Sequence, residues 1–425
     1  MTPVSIVCFS ILALLFVSMF RKGTDVLSPA RLFLIIWLIA IGLADLKLSR
    51  FQFEWSAYSW LTLLVPILSM LLGMFFVYVI NYNKKIPKIS SVRAEFRSSD
   101  IDGDKFFFLI MALFVLYCVS FITTYMIRGF LPMFTKMPEV ARTKWGVFGY
   151  GVFVLSIPSI LYFSLAYIFL VPKNFSKKII VSLIIIVGAV SYSTLLQRFY
   201  LLLPIIFLLI LFYYMTKKMK PRNVLIFFVV FFALFYGIST IRMSRYAFDI
   251  LYYLSDMKYG SQYAVFTEPY MYVTMNLENY AKAVQNLNQY TYGFFTADFL
   301  LFAVRLKPII QEYVNIPEFP SMISNAYNTY SMFFIYYRDF GFVGVFAIPM
   351  ILGFGINTLY YWMRKRPDMN SISIYALCII VIIFSFFIPI LHWIHFTFNI
   401  IIIYSVTKMI QKKKEGITNA GSEGS

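Results

Sequence analysis

The sequence predicts an all-α polytopic membrane protein with about eleven transmembrane helices, on three observations. First, 60% of its 425 residues are apolar and the mean hydropathy is +0.76, which leaves no sizeable soluble domain. Second, the apolar residues fall in runs, most of which reach the roughly 17–25 residues that a helix needs to cross the hydrocarbon core. Third, the dense Lys/Arg clusters occupy every second gap between these runs. Loops rich in Lys and Arg are retained on the cytoplasmic side, so the N-terminus is expected outside and the C-terminus inside.

In chain order the runs cover residues 3–20, 29–44, 56–80, 106–126, 149–171, 179–196, 199–215, 223–241, 341–363, 371–391 and 395–409. The expected organisation is a first bundle of about eight helices (1–241), a large external loop (242–340), three final helices (341–411) and a basic, polar tail (412–425). The first run has no basic residues before it and no small-residue cleavage site after it, so it reads as a retained helix rather than a signal peptide. The inner segment 84–105 mixes Lys84, Lys85, Lys88, Arg93 and Arg97 with Asp100, Asp102 and Asp104. Without the Gly and Glu of a calcium loop, this reads as solvated charge facing anionic headgroups.

The external loop has the composition of folded structure rather than of a linker. Leu277, Tyr280, Ala281, Val284 and Leu287 keep the spacing of an amphipathic helix. A second helix is expected over 297–314, with Pro308 kinking or dividing it. The loop is expected to form short helices that lie on the outer leaflet and pack over the bundle. Pro317, Pro320 and the polar run 324–331 then return the chain to the membrane.

The net charge of +18 follows from the cytoplasmic clusters and so reports topology; a nucleic-acid binder would gather its bases on one soluble face. Cys8, Cys118 and Cys378 all fall in apolar runs, and no Cys/His spacing suits a metal. Neither a cofactor nor a metal is expected, because no phosphate-cradling, nucleophile-elbow or zinc motif is present. Two halves with matching interrupted helices are absent, which argues against an inverted-repeat transporter.

Polar groups at the outer ends of the helices are therefore the candidates for chemistry, since an ionisable residue there needs a partner or a task. Arg128, Arg142, Arg198, Arg242 and Arg245 map to that face, and a guanidinium fork suits phosphate oxygens. The plainer readings are snorkelling to headgroups for Arg198, a surface pair with Glu139 for Arg142, and an interfacial anchor for Arg242 and Arg245. Asp339, beside Tyr337 and Arg338, either caps a helix starting at Phe340 or serves a catalytic or sugar-binding role. Asp249, Asp256, Glu268, Glu278 and Asp298 are alternative carboxylates. His392 and His395, three apart in the last outer turn, are expected on one helix face, in a structural or an acid–base role.

The order Gly129-Phe-Leu-Pro132, Ala141-Arg142, Arg198 opening an apolar span, Asn325-Ala-Tyr-Asn-Thr-Tyr330 and Tyr337-Arg-Asp-Phe-Gly-Phe-Val-Gly344 resembles the bacterial oligosaccharide repeat-unit polymerases, the Wzy-type O-antigen polymerases. The resemblance extends over nearly the whole chain and rests on order and topology more than on any single short motif. It implies a membrane-embedded glycosyltransferase of the inner membrane that works at the periplasmic face. Such an enzyme moves a growing glycan from undecaprenyl diphosphate to the non-reducing end of a new undecaprenyl-diphosphate-linked repeat unit. Arg142 and Arg198 match the family's outer-face arginines by position, and Asp339 matches its Tyr-x-Asp-Phe-Gly aspartate. On this basis Arg142 and Arg198, supported by Arg242 and Arg245, are expected to hold diphosphate. By the chemistry alone one carboxylate or imidazole suffices as base. Asp339, a loop acid, or His392 or His395, which match no family motif, would supply it, and Arg128, Tyr337 and Arg338 would contact substrate. The implied partners are the lipid-linked repeat units, membrane lipids and a chain-length regulator. A flippase for the same lipid-linked sugars and a ligase joining polymer to lipid A core are the competing readings. The single external loop and the scarcity of charge within the spans speak against the flippase.

Overall fold

A computed structural model describes residues 2–19, 24–96, 101–171, 174–215, 247–314, 316–317, 319–324 and 327–412. The expected span 223–241, with Arg242 and Arg245, lies outside the described residues. The fold is all-helical, and among the described residues extended pairing is confined to the isolated bridges Ser49 with Met257 and Ile101 with Gln411. The helices are α1 (Pro3–Met19), α2 (Pro29–Ala44), α3 (Ala57–Asn81), α4 (Ile89–Glu95), α5 (Gly103–Arg128), α6 (Pro138–Lys144), α7 (Tyr150–Val154), α8 (Ile157–Leu170), α9 (Phe175–Ser193) and α10 (Arg198–Met215). The loop contributes α11 (Ala247–Leu254), α12 (Thr267–Asn286), α13 (Asp298–Ala303) and α14 (Leu306–Val314), and α15 (Phe333–Lys365), α16 (Met369–Phe384) and α17 (Ile394–Met409) follow.

Among the described residues, five helical stretches are long and apolar enough to cross a membrane: Ala57–Asn81, Gly103–Phe134, Tyr150–Leu170, Phe175–Ser193 and Phe333–Lys365. Five further apolar helices, α1, α2, most of α10, α16 and α17, are shorter. At about 1.5 Å per residue these extend roughly 25 Å. Local chemistry sets several ends. Ser56 accepts the Ser59 amide at the start of α3, and Asp102 accepts the Asp104 and Lys105 amides at the start of α5. Gly129 ends α5 in the left-handed region (φ 75°), and Asp368 with Ser371 forms a reciprocal cap on α16.

The bundle is built around a parallel pairing of α3 with α15. Two glycines allow it: a Cβ at Gly73 would lie 2.0 Å from the Met350 carbonyl oxygen, and one at Gly353 would lie 2.0 Å from that of Met70. With lipid on the outside there is little hydrophobic gain from pairing apolar helices, so close backbone approach and polar bonds hold them. Ser69 donates to the Phe346 carbonyl, and Asn357 Nδ2 donates to the Met74 carbonyl at 2.6 Å. Across the bundle, Trp37 stacks on Phe333 at 4.9 Å between centroids and donates to Ser385 Oγ at 2.9 Å.

Helix ends gather at two opposite faces. At one, here the basic end, the buried Asp25 carboxylate accepts from Tyr213 (3.1 Å), Tyr214 (3.1 Å) and Tyr360 (2.8 Å), with Arg364 at 3.6 Å. Arg364 also donates to the Pro87 carbonyl, and Arg93 donates to that of Tyr213 at 2.8 Å while stacking on its ring. This knot ties the chain before α2 to the ends of α10 and α15 and to the 84–96 segment. The opposite face carries the large loop and is called the loop end.

The loop departs from expectation. The apolar face of α12 is buried as its spacing predicts, but so are Thr274, Asn276, Glu278 and Asn279. It is wedged beside α2 and α3 rather than laid on a surface. Glu278 forms an ion pair with Lys47 (2.6 Å) and accepts from Trp55 Nε1 (2.8 Å), while Tyr280 donates to the Thr62 carbonyl at 2.7 Å. Asn279 donates to the Tyr327 (2.6 Å) and Thr329 (3.0 Å) carbonyls, which holds the returning chain against the helix. The second expected loop helix is divided, but at Arg305 (φ 61°) and not at Pro308. Pro308 sits in the first turn of α14, where a missing amide proton leaves no bond unmade.

Two span boundaries also move. Helix α15 starts at Phe333, ahead of the expected 341, and its helical path is interrupted at Gly341 (φ 59°, ψ −140°). Helix α16 stops at Phe384 rather than 391, and the Ser385 carbonyl then accepts the Met332 amide at 2.9 Å.

Candidate functional site

The break at Gly341 generates the site. An interrupted helix leaves carbonyls and amides without partners, which in a membrane protein is tolerated only where other protein groups replace them. Here the loop segment 290–297 supplies the replacement. The Thr291 amide donates to the Arg338 carbonyl at 3.0 Å and the Tyr292 amide to that of Asp339 at 3.1 Å. Only glycine suits position 341, because its φ is positive and a Cβ would lie 2.8 Å from the Tyr290 ring.

Asp339 is wholly buried at this junction. Its carboxylate accepts the Thr296 amide at 2.6 Å, the Phe295 amide at 3.3 Å and the Thr291 hydroxyl. It therefore does not cap a helix beginning at Phe340, since Phe340 lies within α15; it caps the turn made by the loop. A carboxylate so occupied holds structure and is poorly placed to take a substrate proton. Arg338 is turned the same way, stacking on the Phe295 ring with its guanidinium carbon 3.7 Å from the centroid and donating to the Pro317 carbonyl. Tyr337 is bonded to the Tyr58 hydroxyl at 2.9 Å, which ties the junction to the top of α3.

His392 completes the junction from the turn before α17. Its Nδ1 donates to the Thr296 carbonyl at 3.0 Å, and its Nε2 accepts from the Tyr336 hydroxyl at 3.3 Å. Burial holds the imidazole below its usual range, while the Thr296 carbonyl and the charges of Asp298 and Asp339 partly oppose this. The ring is thus held neutral, with a defined tautomer and a basic nitrogen toward Tyr336.

The two histidines do not share a helix face as their spacing predicts. His392 belongs to a single 3-10 turn (Ile390–His392), and His395 lies in the first turn of α17, bonded to the Tyr200 hydroxyl beside Trp393. A second cluster therefore forms around the start of α10, whose first residue is Arg198. The segment 130–146 packs there: the Met133 amide donates to the Thr194 carbonyl at 3.0 Å, and Trp145 Nε1 donates to the Phe130 carbonyl at 2.9 Å. Arg128 donates to the carbonyls of Trp145 (3.3 Å) and Gly146, so it braces this segment. Arg142 lies in α6 within the same segment, half-buried. Helix α13 and the turn after it link the two clusters, with Phe302 6.0 Å from Phe148 and Arg305, in that turn, 4.1 Å from the Phe148 ring.

The fold thus brings Asp339, His392, Tyr337 and Arg338 to one junction and places Arg128, Arg142, His395 and the backbone of Arg198 along the same end. Arg242 and Arg245 lie outside the described residues. Sequence reasoning missed Tyr336 and Thr296, which orient His392, and Thr291, which binds Asp339. The tyrosine set around Asp25 was also missed, as each member sits in an apolar run with nothing to mark it. No family model, curated protein or solved structure matches this chain.

Proposed function

We propose that the chain is a polymerase of lipid-linked oligosaccharide repeat units, a multi-pass protein of about eleven spans in the bacterial inner membrane. Its N-terminus is outside, its C-terminus inside, and the loop end is the periplasmic, active face. The observation that carries this reading is the junction itself. The Tyr337–Gly344 stretch, which bears the family resemblance, coincides with a broken helix pinned by the external loop beside a neutral histidine.

The chemistry follows from what these groups can do. The acceptor sugar hydroxyl attacks the anomeric carbon of the donor glycan, and the bond from that carbon to the diphosphate oxygen breaks. His392 Nε2, once Tyr336 yields its place, takes the hydroxyl proton. Undecaprenyl diphosphate leaves with the electron pair, and Arg142 and Arg198, with Arg242 and Arg245, neutralise the charge it gains. Arg128 acts through the segment it braces, and Asp339 acts by fixing the loop turn that orients His392.

The test is complementation of a strain lacking the gene, with surface polysaccharide displayed on a gel. Wild type restores a long-chain ladder, whereas Arg142→Ala, Arg198→Ala and His392→Ala at normal membrane levels leave single repeat units at the surface. Polymer that is made but not attached in the null strain would establish a ligase instead. A complete absence of surface units would establish a flippase.

A further inference from the structure

Helix α14 carries large apolar residues on its outward side: Leu306, Ile309, Tyr313 and Val314 are all exposed. Leu306, Ile309, Ile310, Tyr313 and Val314 lie along one side at helical spacing, with Lys307, Gln311 and Glu312 on the other. Ile309 is 63% and Tyr313 91% exposed, and no residue of the helix is buried. The roll of the helix is fixed from its polar edge, where Lys307 pairs with Asp298 at the start of α13 at 2.8 Å. That pairing draws the Lys307 edge inward, with Ile310 and Gln311 half-buried beside it, and leaves Ile309 and Tyr313 on the outward side. Helix α13, its packing partner, rests against α17 and against Phe148.

We infer that α14 is a membrane-interface anchor, its apolar face seated in the acyl and headgroup boundary of the leaflet at the loop end. The occupant is a lipid surface because the face continues the bundle's exposed apolar rim. That rim runs from Tyr150 and Phe148 through Phe302 and Val304 to Ile309 and Tyr313, all of them exposed. The composition also fits an interface, with aromatic residues and Arg305 interspersed among the exposed apolar ones. The anchor has a consequence for the junction. Helices α13 and α14 follow the 290–297 turn directly, so a leaflet that holds α14 sets the height at which that turn meets α15. The inference rests on the membrane reading of the bundle and needs neither the polymerase activity nor a choice of inside and outside.

The experiment uses full-length protein in nanodiscs of phosphatidylethanolamine and phosphatidylglycerol. Cys8, Cys118 and Cys378 are replaced by Ser, and a fluorophore is placed on a single Cys at Ile309, Tyr313 or Glu312. Nitroxide lipids labelled near the headgroup or deep in the acyl chain, and a water-soluble quencher, report where each label lies. Val119, exposed midway along α5, serves as the reference. We expect Ile309→Cys and Tyr313→Cys to lose most of their emission to the shallow nitroxide. Glu312→Cys should respond instead to the aqueous quencher, and Val119→Cys to the deep nitroxide. Quenching of 309 and 313 by the aqueous reagent alone overturns the inference, as does protection from every quencher, which would mean that another protein segment or a second copy covers the face. Failure of Val119 to respond to the deep lipid would overturn the membrane reading itself, and is thereby distinguished from failure at α14 alone.

Discussion

His392 has both ring nitrogens assigned, one donating to the Thr296 carbonyl and one accepting from Tyr336, so a second proton would disrupt a buried and completed set of bonds. Burial lowers its pKa in the folded protein relative to the unfolded chain, where it titrates near about 6.5. Between the two values the unfolded chain binds the extra proton. The stability due to the neutral imidazole is therefore complete above about pH 6.5 and is lost as pH falls through the folded value. Thermal unfolding in detergent between pH 8 and pH 5 should show wild type losing stability faster than His392→Gln on the acid side. Parallel curves would mean that this imidazole is not held neutral by its surroundings. The residue itself was legible, because only two histidines occur and both fall in an outer turn. Its partners were not, since Thr296 and Tyr336 lie 96 and 56 residues away along the chain and no local period connects them. Asp339 illustrates the same limit. Its place at the mouth of a late span is written in the sequence, but its bonds go to Thr291, Phe295 and Thr296 in a different element.

At the scale of elements, α12 shows what periodicity reports and what it omits. The spacing of Leu277, Tyr280, Ala281 and Val284 located the helix and its apolar face, and all four are buried. The burial of the opposite face depends on the α2–α3 corner, which supplies Lys47, Gln52 and Trp55 to Glu278. Burial pushes the Glu278 carboxyl up, and Lys47, Trp55 and the Phe53 amide pull it back, so the group relies on its partners to remain ionised. Removing one member of such a pair leaves the other stranded at a cost of about 3–5 kcal/mol, whereas removing both together is far less harmful. Glu278→Ala should accordingly lower stability by that amount, and Glu278→Leu combined with Lys47→Leu should recover most of it. The check is a double-mutant cycle in chemical denaturant, and strictly additive losses would rule out the coupling. The α15 break is legible only in part. Gly341 stands in the sequence as the expected start of a span, but nothing local says that eight helical residues precede it, because the Arg338 and Asp339 carbonyls at the break are satisfied by loop amides from 291 and 292.

For the molecule as a whole, the pattern of charge and the pattern of packing can be tested against each other. Alternation of basic gaps assigns each helix a direction, and the side-chain contacts assign directions independently. Helix α3 pairs with α15 in parallel, from Tyr58 with Tyr337 at one end to Asn81 with Lys365 at the other. Helix α1 runs against α2, since its first turn meets Asp45 and Gly42 at the end of α2. Both relations are those the alternation requires. With the bond from the Asp102 amide to the Ile410 carbonyl (2.8 Å), they place Lys84, Lys85, Lys88, Arg93, Arg364, Lys365 and Lys408 with the Asp25 knot at one end and the described residues of the loop at the other. Packing fixes which ends lie together but gives no sign to the two faces; the sign comes only from the preference of basic residues for the cytoplasmic side. A membrane-impermeant maleimide supplies the missing information. In a background with Cys8, Cys118 and Cys378 replaced, Gln289→Cys should react in intact spheroplasts and Lys85→Cys only after permeabilisation, both positions being exposed. Labelling of Lys85→Cys in intact cells with Gln289→Cys protected would reverse the molecule. His392 and the arginines would then face a compartment without periplasmic acceptor, and the proposed polymerase would fall with the orientation. Reaction at both sites without permeabilisation would instead break the link between basic gaps and parallel packing, because two groups at opposite ends of one bundle cannot share a face.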